Sequence, residues 1–294
     1  NKLADYIESI YGGKIERNSR KPLDYKFEMD IWLPELKIGI EFNGCWWHSE
    51  NYKSKNYHQE KWKFAKERGI RMIQIWEDKW ENHRESQESI LKTVLNHGSI
   101  TKIGARKCEI KEIQSKIERE FIDKNHNQKY VPSSMCYGLH FDGKLLQIMS
   151  IVKRKNNNYE IARICTESGY VISGGSSRLF DFIIKKHIEI INLISYCDLD
   201  LFTGKVYENM GMNFVKYTKP GYFYVTMKDR YKFCHDRINR TKFQKHKLLK
   251  KYPEFYSNMT ELEIANKLGY IRVWNTGNAL YEWKRNPKND FAES

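Results

Sequence analysis

Apolar positions along this chain change period several times, from a spacing of three or four to a spacing of two. Leu3, Ile7 and Ile10 recur at helical spacing and Gly12-Gly13 closes the run, so Leu3–Tyr11 is predicted as an amphipathic helix with Glu8 beside its apolar edge. A linker containing Pro22 follows. Two short strands are predicted within Glu28–Glu50, joined by a turn at Pro34-Glu35. Tyr57, Lys61, Phe64 and Ala65 are spaced for a helix over Asn51–Arg68, with Gly69 as its stop. Arg71–Trp76 is a strand of large apolar residues, ended by Glu77-Asp78. A second amphipathic helix runs through Ile90, Leu91, Val94 and Leu95. The order is helix, strand, strand, helix, strand, helix: a compact mixed α/β module with a small sheet.

Asn96–Arg106 has two glycines and little periodicity, which marks a boundary. Beyond it a strand is predicted at Cys108–Ile113 and a helix at Ser115–Lys124. Extended runs follow at Met135–Phe141, Leu145–Val152 and Tyr159–Ile164, with a hairpin at Asp142-Gly143. Gly174-Gly175-Ser176-Ser177 opens a helix expected to run through Phe180, Ile183, Ile184, Ile188 and Ile191. A buried strand at Leu193–Cys197, a short helix at Lys205–Met210 and strands at Phe214–Tyr217 and Tyr222–Val225 complete this region. Near the C-terminus Thr260 caps a short helix through a capping-box pattern, and Tyr270–Trp283 is expected to fold back as a hairpin around Thr276-Gly277-Asn278.

Composition refines this outline. The chain has 294 residues, of which 40% are hydrophobic and 14% aromatic, enough to build folded cores. No apolar stretch is long enough to span a bilayer, so no membrane association is expected. Six scattered cysteines without a CxxC pair point to reduced, mostly buried thiols in an intracellular protein. The net charge of +14 points to a polyanionic partner. Residues 1–100 hold 17 Lys and Arg against 16 Asp and Glu; residues 230–294 hold 14 against 7. The acidic candidates therefore lie in a nearly neutral module, and the binding charge lies downstream.

Within Glu28–Glu50, Asp30 sits on the first predicted strand and Glu41 near the end of the second, with Asn43, Gly44, Cys45, Trp46, Trp47 and His48 after it. Two carboxylates on adjacent strands can clamp a divalent cation on a phosphodiester, and a nearby imidazole can accept the proton of the attacking water. Residues 28–80 resemble the very-short-patch-repair type of nuclease, a branch of the PD-(D/E)XK restriction-endonuclease fold. The resemblance is carried by Asp30-Ile31-Trp32, Gly44-Cys45-Trp46-Trp47-His48, Gly69-Ile70-Arg71 and Trp76-Glu77. It implies Asp30, Glu41 and the Phe42 carbonyl as metal ligands, and His48 as the catalytic histidine with His58 in reserve. Glu8 would be the helix acid, and Asn43 stands in the usual lysine position. The implied metal is Mg²⁺, with Mn²⁺ as its substitute. The string Glu41-Phe42-Asn43-Gly44 with Trp47-His48, together with Gly174–Leu179 and the basic tail, also resembles phage homing-endonuclease-like proteins. That implies site-specific cleavage of double-stranded DNA in the cytoplasm of an infected bacterial host.

The middle region has a second resemblance. The Gly174–Ser177 helix start, the buried strand and Val206-Tyr207-Glu208-Asn209-Met210-Gly211-Met212 resemble the end of a GNAT-type acetyltransferase fold, with a degenerate glycine loop. Residues 230–252 hold nine Lys and Arg against one Asp, interleaved with Tyr231, Phe233, Phe243 and Tyr252. Arg230, Lys232, Arg237, Arg240, Lys242, Lys245, Lys247, Lys250 and Lys251 are the candidate DNA contacts. The fold expected is mixed α/β. Residues 1–100 form a restriction-endonuclease-like nuclease domain, 105–229 a GNAT-like α+β domain and 230–294 a small basic C-terminal module. The activity expected is a metal-dependent DNA endonuclease. The alternatives are a mismatch-directed nicking enzyme, an acetyltransferase-fold protein with an inactive nuclease module, and a non-catalytic DNA-binding regulator.

Overall fold

A computed structural model describes residues 2–96, 98, 100–226, 237–255 and 257–286. The chain divides into two compact units, neither of them continuous in sequence. The first comprises residues 1–87, 198–202 and 219–277, and the second residues 88–197, 203–218 and 278–294. This division differs from three consecutive domains, because the chain leaves each unit and returns to it.

The first unit starts with α1 (Lys2–Ile10), β1 (Glu16–Ser19), β2 (Met29–Leu33), β3 (Ile38–Asn43), α2 (Tyr57–Glu67), β4 (Arg71–Trp76) and α3 (Glu77–Asn82); α4 (Arg84–Leu95) follows across the division. The four strands form one sheet in the order β1-β2-β3-β4. β2 and β3 pair antiparallel with Ile31 opposite Ile40, and β3 and β4 run parallel with Glu41 opposite Gln74. Ile31, Ile40, Ile73 and Ile75 are buried with Leu3 and Ile7 of α1. A parallel pair covered on both faces demands the nearly continuous apolar runs that β3 and β4 show.

The second unit is built from β5 (Thr101–Gly104), β6 (Glu109–Glu112), α5 (Ser115–Asn125), β7 (Met135–Phe141), β8 (Lys144–Lys153), β9 (Asn158–Thr166), β10 (Tyr170–Ser173), α6 (Gly175–Lys186), β11 (Asn192–Asp198), α7 (Lys205–Asn209) and β12 (Asn213–Tyr217). The chain then returns to the first unit for β13 (Tyr222–Thr226), β14 (Ile238–Asn239), α8 (Lys245–Lys251), α9 (Glu261–Lys267) and β15 (Tyr270–Trp274). It closes with β16 (Asn278–Lys284) in the second. The large sheet has the order β12-β16-β11-β9-β8-β7-β6. β7 and β8 join at Asp142-Gly143, both at positive φ as a two-residue hairpin turn requires. β11 runs parallel to β9.

Two local expectations are corrected. α6 ends at Lys186, and Ile188 and Ile191 are exposed rather than part of its apolar face. The Arg285 guanidinium ends the helix by donating to the carbonyls of Ile184, His187 and Ile190. Tyr270–Trp283 is not a hairpin. β15 pairs with β13, and β16 inserts between β12 and β11 with Asn213 opposite Glu282. The expected capping box at Thr260 is formed, reciprocally with Glu263. Cys45, Cys108, Cys136, Cys165 and Cys197 are buried and form no disulfide. Among the described residues, no helix is long and apolar enough to cross a membrane.

Candidate functional site

The parallel register of β3 and β4 and the antiparallel β2–β3 pair bring Asp30 and Glu41 together. Asp30 Oδ2 accepts from the Phe42 amide at 2.7 Å. Glu41 is buried, and one of its oxygens accepts from the Lys61 ammonium; the other, Oε1, is buried without a hydrogen-bond partner. Burial raises the Glu41 carboxyl to about 7 and Asp30 adds to the rise, against the pull of Lys61. Burial also raises Asp30, opposed by the Phe42 amide and by Lys61. The buried positions of α2 are His58, Gln59, Lys61, Trp62 and Ala65, so Lys61 projects inward. Sequence reading placed Lys61 on the helix without a chemical role. Its signal was a lysine on the apolar side of a helix, three residues from His58 and four from Ala65.

A second polar chain runs beside this group. Gln74 Oε1 accepts from Asn43 Nδ2 at 2.9 Å and lies 2.8 Å from His58 Nδ1, so the proton of His58 is on Nδ1. His58 Nε2 then accepts from His48 Nδ1 at 3.3 Å, with the rings stacked at 5.0 Å, which leaves the His48 lone pair on Nε2. Gln74 Nε2 donates to Thr276 Oγ1, and Asp200 accepts from the Thr276 amide and from Trp76 Nε1. Burial pushes both histidines down to about 3, and neighbouring positive groups reinforce it, so both are neutral near pH 7. His48, His58 and Asn43 therefore belong to one network, in which Asn43 is a buried partner of Gln74.

Several expected ligands are differently placed. Glu8 is exposed on α1 and pairs with Arg17. Phe42 is in register with Ile75 within the sheet, and its amide is the group that meets Asp30. No group of three or more His, Cys, Asp and Glu side chains positioned for a metal ion is found among the described residues. Of the candidate DNA contacts, Arg230 and Lys232 lie outside the described residues. The Arg237 side chain is buried and donates to Asp78 at 2.9 Å, with its guanidinium over Trp76, so it is an internal ion-pair member and not a surface contact. Arg240, Lys242, Lys247, Lys250 and Lys251 are exposed, and Lys245 is half-buried.

In the second unit the strongest geometric feature is the β9–β11 pair. Its parallel register runs from Asn192 opposite Asn158 to Ser195 opposite Ile161. Both strands continue beyond that point, β9 through Ala162–Thr166 and β11 through Tyr196 and Cys197. α6 starts nearby in sequence, with Gly174 in the left-handed conformation and Arg178 N donating to Gly174 O as the first turn closes. A side chain on Gly175 would collide with Gln147 Oε1, a buried acceptor without a hydrogen-bond partner. Arg178 itself is turned away to the carbonyls of Ala105 and Cys108. Ser177 Oγ donates to Asn209 O, tying the α6 start to α7, whose Tyr207 stacks on Tyr281 at 5.1 Å. Before α6 the chain forms strand β10, paired in parallel with β5.

Neither a protein-family model nor a curated protein matches the chain. Solved structures similar to it include an acetyltransferase of Bacillus subtilis in complex with CoA, at 12% identity, covering 61% of this chain and 100% of that one with a TM-score of 0.35. A GNAT family acetyltransferase from Elizabethkingia anophelis with acetyl-CoA bound is 14% identical, with coverage of 61% and 99% and a TM-score of 0.35. An IAA acetyltransferase from Bacillus cereus is 11% identical, with coverage of 60% and 99% and a TM-score of 0.36. The three structures named are acetyltransferases. In this chain the Glu41 carboxylate is already paired with Lys61, and the described residues hold no group of three or more metal-ligating side chains. The expectation of a Mg²⁺-dependent DNA endonuclease, a hydrolase with Mn²⁺ as substitute, is corrected accordingly.

Proposed function

We propose that this is an acetyltransferase-fold protein whose second unit binds an acyl-coenzyme A thioester, and whose first unit is a nuclease-like module without metal-dependent cleavage. The observation that carries the reading is the parting of β9 and β11 after Ser195 and Ile161. Past that point the facing edges of Ala162–Thr166 and Tyr196–Cys197 no longer pair with each other, and an extended, amide-bearing ligand such as the pantetheine arm can add there as a strand adds to an open edge. The start of α6 supports the same ligand. The amides of Gly175, Ser176 and Ser177 precede the first intrahelical bond, and the helix dipole favours an anion such as a pyrophosphate there. With Arg178 and the Ser177 hydroxyl engaged elsewhere, the backbone amides and the Ser176 hydroxyl, which accepts from Gln147 Nε2 and keeps its proton to donate, provide the recognition. Tyr207 is the group suited to return a proton to a departing thiolate, since phenols and thiols have similar acidity. Arg163, on the part of β9 that pairs with β8 but no longer with β11, lies within electrostatic reach of Tyr207. In the first unit Lys61 neutralises Glu41, which supports the reading of a module that does not recruit a metal.

Isothermal titration calorimetry of the whole chain with acetyl-CoA tests the proposal. One site per chain is expected, with unchanged affinity in Tyr207→Phe. The absence of both binding heat and a thermal shift at millimolar acetyl-CoA would overturn it.

A further inference from the structure

Trp46 and Trp47 are neighbours with opposite fates. Trp46 packs on the cluster of Cys45, Trp76, Val225, Ile271 and Val273, whereas Trp47 is 64% exposed and Tyr52 50%. Their rings lie 5.1 Å apart, so two large aromatic faces stand in water side by side, at a cost that folding alone does not explain. The loop that holds them is anchored. Ser49 bridges to Val273, and Glu50 accepts a hydrogen bond and forms an ion pair with Arg272 at 2.6 Å. The only carboxylate in this stretch of loop is thereby neutralised.

Cations line the same strip of the first unit. Lys53 stands 4.2 Å from the Tyr57 ring centre and Lys55 4.8 Å from that of Trp274. Trp274 in turn packs on Tyr222 at 4.9 Å, and Arg240 lies over Tyr222. Cation–π contacts hold these side chains in place while leaving their charge available, which lowers the entropy lost on binding a polyanion. Beyond Arg240 the exposed lysines of the basic segment continue the positive surface.

We propose that this strip binds single-stranded nucleic acid, with bases stacked on Trp47 and Tyr52 and phosphates on Lys53, Lys55 and Arg240. Exposed ring faces beside fixed cations match unpaired bases, whose faces are accessible; in a duplex those faces are already stacked on one another. The site is separate from the acyl-coenzyme A reading and does not depend on it.

Fluorescence anisotropy of the full chain with labelled oligo-dT and with a mixed-sequence duplex tests the idea. Oligo-dT is expected to bind more tightly and to quench tryptophan emission. Trp47→Ala is expected to weaken oligo-dT binding by about 5- to 100-fold. Lys55→Ala is expected to reduce the salt-dependence slope by about 0.7. Both positions are exposed, so the variants should retain the parent's circular dichroism and melting. Oligo-dT affinity unchanged by Trp47→Ala, or tighter binding of the duplex, would overturn the proposal.

Discussion

Lys61→Met isolates the interaction on which the first unit's core depends. The Lys61 and Glu41 side chains are each 4% exposed, and Glu41 already has one buried oxygen without a partner. Removing the ammonium leaves a buried carboxylate with only the Asp30 charge for company, and such deletions cost about 3–5 kcal/mol. Against a whole-domain stability of roughly 5–15 kcal/mol this is a large fraction. The effect must also depend on pH, with a definite sign. A carboxyl whose folded value lies above its unfolded value stabilises fully below the unfolded value and loses that contribution as pH rises through the folded one. Glu41 goes from 4.5 unfolded to about 7 in the parent, and loss of Lys61 moves it further up. The variant's deficit should therefore be small near pH 5 and grow toward pH 8. Seven of the eight tryptophans lie in the first unit, so guanidinium melts followed by tryptophan emission report on it. Adding Glu41→Gln to Lys61→Met should recover most of the loss. A deficit under about 1 kcal/mol that is flat between pH 5 and pH 8 would refute the reasoning, because it would mean that the pair is solvated.

Two further outcomes follow from the same unit and its neighbour. His48 and His58 have folded values near 3 against an ordinary 6.5, so their contribution is present above about 6.5 and is lost as pH falls toward 3. Replacing both by Gln should flatten that acid-side decline in a pH series of urea melts. In the second unit Gly204 has a φ of 87°, and a Cβ there would run into the Tyr281 hydroxyl; Gly204→Ala should cost about 1–3 kcal/mol in a thermal melt that follows Trp283 or the far-ultraviolet signal.

Much of the secondary structure was legible because its signals are local. The Arg71–Trp76 strand, the Asp142-Gly143 turn and the Thr260 capping box each rest on residues within a few positions of one another. Asp30 and Glu41 could be paired from the turn length alone. Lys61 could not be added to them, since its partner is 20 residues away and only the packing of α2 decides which of its side chains turn inward. Arg237 was misread for the same reason: a basic residue in a basic run says nothing of Asp78, 159 positions earlier, which buries it.

By itself the sequence determined most of the elements, the mixed α/β class and the identity of the polar groups available for chemistry, because periodicity, turn residues and caps act over short range. Only the tertiary structure decided which strands share a sheet. Asn278–Lys284 looks like the return arm of a hairpin, yet it lies between β12 and β11, where Ala279 and Tyr281 are buried. It also took the fold to show that Glu41 is answered by a lysine. Burial sets the cost of an unpaired charge, and burial is a property of the packed chain, not of any one segment of it.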